Sequence, residues 1–148
     1  MHRSYEKGYK WTGKSVKSCL FINGDPLDRA VFVRAVNHAA PGTICFMATN
    51  TLDALSIMRG SNIIPDYIFV DLMMQGLTGI EFLKHIKKIG RFKHIPVVIH
   101  ANAPAPDHVE DLKQAGAFAI HFRPYDHWGI FNFLSLYFHN EKTRVLMN

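Results

Sequence analysis

The sequence predicts an α/β fold in which a central parallel sheet of five strands alternates with five helices. Short runs that are apolar at nearly every position alternate with stretches whose apolar residues recur at helical spacing, the pattern of repeated strand–helix units. The runs do not alternate apolar with polar, so their strands are expected to be buried on both faces. The chain has 148 residues, the length of one domain with room for a tail. Apolar residues make up 48% and charged residues 20%, the balance of a globular chain rather than a disordered one. No apolar run approaches a bilayer span, and none of signal-peptide length follows the N-terminus, so no membrane partner is expected and the cytoplasm is the expected location. Two cysteines, Cys19 and Cys45, exclude a disulfide framework and suit reduced thiols packed in a core.

Cys19-Leu20-Phe21-Ile22 is the first strand. Asp25 with Pro26 then opens a helix, Asp at the N-cap and Pro at the first helical position, with Phe32, Ala35, Val36 and Ala39 as its inner stripe. Thr43 to Ala48 is the second strand, and Asn50 caps a helix with stripe Ala54, Leu55 and Met58 that Gly60 stops. The third strand, Tyr67 to Val70, ends on Asp71. A loop with Gly76 and Gly79 leads to an amphipathic helix facing inward through Phe82, Leu83, Ile86 and Ile89, with Lys84, Lys87 and Lys88 on a solvated outer face. Pro96 to Ile99 is the fourth strand. A loop from Ala101 to Pro106 precedes a weak helix through Val109 and Leu112, closed at Gly116. Phe118 to Phe122 is the fifth strand, and the last helix spans roughly His127 to Glu141. The domain therefore covers 18–141, between a basic tail at 1–17 and a short tail at 142–148.

The pI of about 9.3 invites a nucleic-acid reading. Five of the cations, Arg3, Lys7, Lys10, Lys14 and Lys17, stand against Glu6 in residues 1–17, so that stretch holds +4 of the net +5. The basicity belongs to a solvated extension rather than to a folded binding face, and nucleic acid is not an expected partner. Gly8-Tyr9-Lys10-Trp11-Thr12-Gly13-Lys14-Ser15 satisfies the Walker A pattern letter for letter. A working P-loop leaves a buried strand and opens a helix that holds phosphate at its N-terminus. Here seven polar-rich residues precede Gly8 and a strand comes after it, so the match is read as chance, with nucleotide binding through Gly8–Ser15 kept as a rival. A flavin carrier is a further rival, but no phosphate-cradling loop follows the first strand.

Four strings occur in a telling order: Leu20-Phe21-Ile22-Asn23-Gly24-Asp25-Pro26, Ile68-Phe69-Val70-Asp71-Leu72-Met73, Thr78-Gly79-Ile80-Glu81-Phe82-Leu83, and Gly116-Ala117 through Arg123-Pro124. With their spacing, the chain from about Ser18 to Glu141 resembles the receiver domain of bacterial two-component response regulators, of the stand-alone type without an output domain. The resemblance implies a flavodoxin-like (βα)5 fold, strand order 2-1-3-4-5, helices on both faces, and a site at the carboxyl ends of the strands. It implies a non-enzymatic signalling protein in a phosphorelay, receiving a phosphoryl group from a histidine kinase or phosphotransfer protein and acting on a downstream protein partner.

Carried over residue by residue, the resemblance makes Asp71 the phosphoacceptor. The family's metal-binding acidic pair falls on Asn23 and Gly24, neither a carboxylate. Asp25 lies next to them, but its N-cap role already explains it. The backbone-carbonyl ligand of the metal would be Met73, beside Asp71. The switch hydroxyl falls on Ala101, which cannot donate a hydrogen bond, and the family lysine falls on Arg123, which keeps the charge and changes its shape. Arg123 is expected to pair with Asp71, and the Arg123–Pro124 peptide bond is expected to be cis. Mg²⁺ is therefore expected to bind weakly or not at all. The alternative function is a pseudo-receiver, a protein-interaction module independent of phosphate. His100 and His121 are read as structural histidines, since none of the histidines shows paired ligand spacing for zinc. The last helix carries two apolar stripes, Ile130, Phe133, Leu134 and Tyr137, then Phe131 and Phe138, more than one core face needs; a homodimer through it is expected.

The Walker-like string generates one test. In equilibrium titrations, ATP is expected to bind neither the whole chain nor a chain lacking residues 1–17; micromolar binding abolished by Lys14→Ala would restore the nucleotide reading.

Overall fold

A computed structural model describes residues 5–6, 18–72, 78–101, 106–122 and 127–137. The strands are β1 (Tyr5–Glu6), β2 (Ser18–Ile22), β3 (Ile44–Ala48), β4 (Tyr67–Asp71), β5 (Val97–Ala101) and β6 (Ala119–Phe122). The helices are α1 (Pro26–Ala39), α2 (Thr51–Gly60), α3 (Gly79–Ile86), α4 (Pro106–Ala115) and α5 (His127–Tyr137). The sheet runs β1-β6-β5-β4-β2-β3. Its five long strands are parallel and stand in the expected 2-1-3-4-5 order.

The sixth strand corrects the reading of residues 1–17 as a solvated extension throughout. Tyr5 and Glu6 pair antiparallel with Ile120 and Ala119 of β6. β6 would otherwise be an edge with unpaired backbone groups, and two residues of backbone cover part of it whatever their side chains. Such a strand needs no apolar pattern, which is why hydropathy does not reveal it. The Walker-like string, Gly8 to Ser15, lies outside the described residues.

Successive residues of the central strands feed opposite faces, and each face has its own core. Leu20, Ile22, Ile68, Val70, Val97 and Ile99 pack under α2, α3 and α4 through Met58, Phe82, Leu83, Ile86 and Leu112. Cys19, Phe21, Phe69, Val98 and Ala119 pack under α1 and α5 through Phe32, Ala35, Val36, Ile130 and Leu134. The predicted stripes of α1 and α2 are the buried ones, with Ala39 only partly covered. In the second core Phe21 stacks on Phe32 with centroids 3.9 Å apart, and Phe32 meets Phe69 at 5.2 Å. His100, fully buried on β5, lies among the three rings, 5.9 Å from Phe69 and 6.2 Å from Phe21. His121 sits beside it at 6.3 Å. Both histidines are thus core residues, as expected.

α3 is shorter than the pattern through Ile89 suggests. It ends at Ile86, and the chain continues in tight turns, with Ile89 N donating to Ile86 O at 3.1 Å. Lys87 corrects the reading of a purely solvated lysine face. Its Nζ donates to Lys93 O at 3.2 Å and Ile95 O at 3.1 Å, closing the loop into β5. A cation satisfying carbonyls just past a helix end also suits the helix dipole.

The entry to α3 fixes the end of β4. Thr78 and Glu81 form a capping box: the Thr78 hydroxyl accepts from Glu81 N at 3.3 Å, and Glu81 Oε1 accepts from Thr78 N at 3.4 Å. Next to it, Gly79 N donates to Leu72 O at 3.0 Å. A Cβ on Gly79 would stand 2.9 Å from both Asp71 O and Leu72 Cα, so only glycine lets the helix approach this strand end. Gly79→Ala is therefore expected to cost about 1–3 kcal/mol of stability, read by urea denaturation, because backbone must move to admit the methyl group. Gly24→Ala, whose Cβ would meet nothing nearer than Thr49 O at 3.6 Å, should be nearly neutral in the same assay.

Burial lowers the pKa of His121 to about 4. Its folded-state pKa lies below the ordinary value of about 6.5, so the unfolded chain takes up the proton first as pH falls. His121 then costs nothing above pH 7 and destabilises the fold progressively from about pH 6.5 down to about pH 4. At pH 5 the loss should be about 2 kcal/mol, and His121→Phe should remove that part of the pH dependence of urea midpoints.

Candidate functional site

Parallel pairing brings the ends of the two central strands to one level. Ile22 pairs with Val70, so Asn23 leaves β2 where Asp71 closes β4, and Asp71 in turn pairs with His100. Asn23 shares a face with Cys19 and Phe21, and Asp71 with Tyr67 and Phe69, so both side chains emerge on the α1 side of the sheet. The backbone here is anchored from three directions: Asn23 N donates to Ala48 O at 3.1 Å, Leu72 N to His100 O at 2.9 Å, and Gly79 N to Leu72 O at 3.0 Å.

Asn23, 1% exposed, is the hub. Its Oδ1 accepts from Asp25 N at 2.8 Å, which orients the carboxamide. Its Nδ2 then faces two carboxylates, Oδ2 of Asp28 at 3.3 Å and Oδ2 of Asp71 at 3.5 Å, the second at the outer limit of a hydrogen bond. Its backbone carbonyl accepts from Arg29 Nη1 at 2.8 Å, setting a guanidinium beside the cluster. Asp71 itself is partly exposed.

Asp25 has its predicted structural role: it is the N-cap of α1, and its Oδ1 accepts from Leu27 N at 2.8 Å. Gly24 is exposed, with room for a side chain. Ala101, where the resemblance puts the switch hydroxyl, closes β5, is 3% exposed and packs in the first core. Met73, Arg123 and Pro124 lie outside the described residues, as do the Arg123–Asp71 pairing and the cis peptide bond. Of the last helix, Ile130 and Leu134 are buried and Phe131 lies against His38 at 4.7 Å; Phe138 and the side chains of Phe133 and Tyr137 are outside the described residues.

Sequence reasoning missed Asp28 and Arg29. The signal was there in the spacing: Asp28 sits in the first turn of α1, three residues past the N-cap, where a helix entering at this strand end turns a side chain back over it. Asp28 and Asp71 are carboxylates of the sort that hold Mg²⁺. The donor between them is an amide N–H₂, which repels a cation and uses up carboxylate lone pairs. Among the described residues no group of three His, Cys, Asp or Glu is placed to hold a metal ion. The described residues thus offer two carboxylates with an amide donor set between them.

Comparison with known proteins places this geometry. The family model described as response regulator receiver domain matches residues 19–132. The chain is similar to the two-component response regulator ORR6 of Oryza sativa subsp. japonica, 30% identical over 99 residues, which cover 66% of this chain and 57% of that protein. It is similar to sporulation initiation phosphotransferase F of Bacillus subtilis, 33% identical over 81 residues, 55% of this chain and 62% of that protein. A 79-residue match at 30% identity to the sensor histidine kinase CheAY of Helicobacter pylori covers 53% of this chain and 10% of that protein. The chain thus spans less than two thirds of the length of each of these relatives. The fold is that of the chemotaxis response regulator CheY4 of Vibrio cholerae, with a TM-score of 0.71, 20% identity, and coverage of 82% of this chain and 98% of that one. It is also that of the phosphorylated cyanobacterial phytochrome response regulator RcpA, with a TM-score of 0.75, 17% identity, and coverage of 83% and 91%. With the parallel order, the strand-end aspartate and the match over 19–132 all in agreement, the chain belongs to the receiver domain family of two-component response regulators.

Proposed function

We propose that this protein is a receiver in a cytoplasmic phosphorelay, that it is not an enzyme, and that Asp71 accepts a phosphoryl group slowly at a degenerate site. The observation that carries the reading is the partly exposed Asp71 carboxylate at the end of β4, held beside Asn23 on a backbone anchored on three sides. In the reaction, a carboxylate oxygen of Asp71 attacks the phosphorus of a phosphohistidine, the P–N bond breaks, and the imidazole leaves with the electron pair. An acyl phosphate remains on Asp71. The donor is a histidine kinase or phosphotransfer protein, and the output is a changed surface for a downstream protein partner. A homodimer through the last helix belongs to the same reading, on the apolar composition of that helix.

The barrier is electrostatic, since an anionic carboxylate meets an anionic phosphoryl group. Mg²⁺ is proposed to bind weakly or not at all, because Gly24 lacks a carboxylate and the Asn23 amide occupies the space between Asp28 and Asp71. Cationic help then falls to Arg29, beside Asn23 O, and to Arg123 at the family's lysine position. The second reading, a pseudo-receiver that binds its partners without phosphate, is favoured by Ala101: a buried methyl group cannot couple phosphate to movement of β5.

Labelling of Asp71 over time separates the two. The chain is incubated with a small phosphodonor and Mg²⁺ and followed by intact mass, with Asp71→Asn as the blank. Wild type should label slowly, with a rate that does not saturate with Mg²⁺ in the low millimolar range. Gly24→Asp, Ala101→Thr and Arg123→Lys together should speed labelling on the order of 100-fold or more, non-additively, since the three groups grip one phosphoryl group. Gly24→Asp should contribute most and Ala101→Thr alone almost nothing. Wild type labelling as fast as the triple variant would end the degenerate-site reading, and a folded triple variant that never labels would favour the pseudo-receiver.

A further inference from the structure

Cys19 and Cys45 are directly opposite each other on β2 and β3. Their Sγ atoms are 3.6 Å apart, on the side of the sheet that packs under α1. Neighbouring strands lie about 4.8 Å apart, inside the Cα separations that disulfides span, and the sulfurs need to close to about 2.05 Å. The two thiols differ in access. Cys19 is fully buried, whereas Cys45 is partly exposed on β3, the outermost strand on its side of the sheet among the described residues.

We propose that Cys19 and Cys45 are a redox pair, with Cys45 the attacking thiol and Cys19 the resolving thiol, closed to an intrachain disulfide by a low-molecular-weight disulfide such as oxidised glutathione. The Cys45 thiolate attacks one sulfur of the oxidant, forming a mixed disulfide and expelling one thiolate. Cys19 then gives up its proton and attacks Cys45 Sγ, expelling the second thiolate. The chain loses two electrons and two protons, and the oxidant becomes two thiols. The hydrogen bond with Cys45 and burial push the Cys19 thiol well above its usual range, which assigns the first attack to Cys45 and leaves proximity to drive the second. The closed pair staples the edge strand to the central strand that delivers Asn23, and it operates whether or not Asp71 takes phosphate.

The test treats the full chain with excess oxidised glutathione in native buffer, blocks remaining thiols by alkylation, and reads intact mass and non-reduced peptides. The expected product has lost two hydrogens, carries no glutathione, joins the Cys19 and Cys45 peptides, and returns to the reduced mass with dithiothreitol. Cys19→Ala should stop at a stable glutathione adduct on Cys45, and Cys45→Ala should stay unmodified at the times when wild type is converted. A wild-type chain that accumulates a lasting glutathione adduct, forms interchain dimers instead, or stays reduced overturns the proposal. Should Cys19→Ala not fold, the wild-type peptide map decides alone.

Discussion

The pairing of β2 with β4 is the constraint on which the rest of this structure depends. Leu20, Phe21, Ile22, Ile68, Phe69 and Val70 are all essentially without solvent contact, so these two strands have no face to give to water. A slip of one residue would exchange every side chain between two cores that differ in shape, one built around the Phe21–Phe32 stack and the other around Met58, Phe82 and Ile86. The register is therefore held by both cores at once. Its consequence is chemical: Asn23, just past β2, and Asp71, the last residue of β4, must emerge side by side. The site is what is left over when two buried strands run out of apolar sequence.

At that point two carboxylates, Asp28 and Asp71, face one amide. Bringing like charges together at a partly buried position is unfavourable unless something positive or hydrogen-donating stands between them. Asn23 supplies the donors, and Arg29, bonded to the Asn23 carbonyl, supplies a nearby positive charge. Both groups belong to the chain itself and lie within six residues of one another in sequence. An internal amide cannot follow charge as it develops on a phosphoryl group in the way a cation can. Under the proposed function, the arrangement would settle Asp71 in its ground state more than it would help it react.

The sheet and its helices were legible because burial on both faces writes itself as unbroken apolar runs, and because Asp25-Pro26, Asn50 and Thr78 mark helix starts with their own capping chemistry. Asn23, Gly24 and Ala101 were singled out through the family resemblance; Asn23 and Gly24 stand just past β2, and Ala101 is the last residue of β5. The features that escaped depend on side-chain direction or on backbone alone. Asp28 is one polar residue among several at a helix start, and only the strand end beneath it sets it apart. Lys87 has the spacing of a surface lysine, but the turn after Ile86 folds the 93–95 carbonyls under its ammonium group. Tyr5–Glu6 pairs through backbone groups that every residue has, so nothing in its composition distinguishes it from the tail around it.

The two ends of the site carry different limits on signalling. Under the proposed function, Asn23 and Gly24 on the β2 side would bear on the rate at which Asp71 is modified, and rate is recoverable by time or by an efficient donor. On the β5 side, Ala101 would bear on the conformational response to that modification. It is 3% exposed and packed in the core under α2, α3 and α4, and it offers no hydroxyl that would draw the end of β5 toward a phosphoryl group. A ligand shifts a conformational equilibrium only by its differential interaction with the two states. With that interaction removed, a phosphate on Asp71 would act chiefly through its own charge, by meeting Arg29 or by displacing the Asn23 amide from the Asp28–Asp71 pair. The response of such a domain would then be confined to the surface around the first turn of α1, and a partner that reads it should touch that turn.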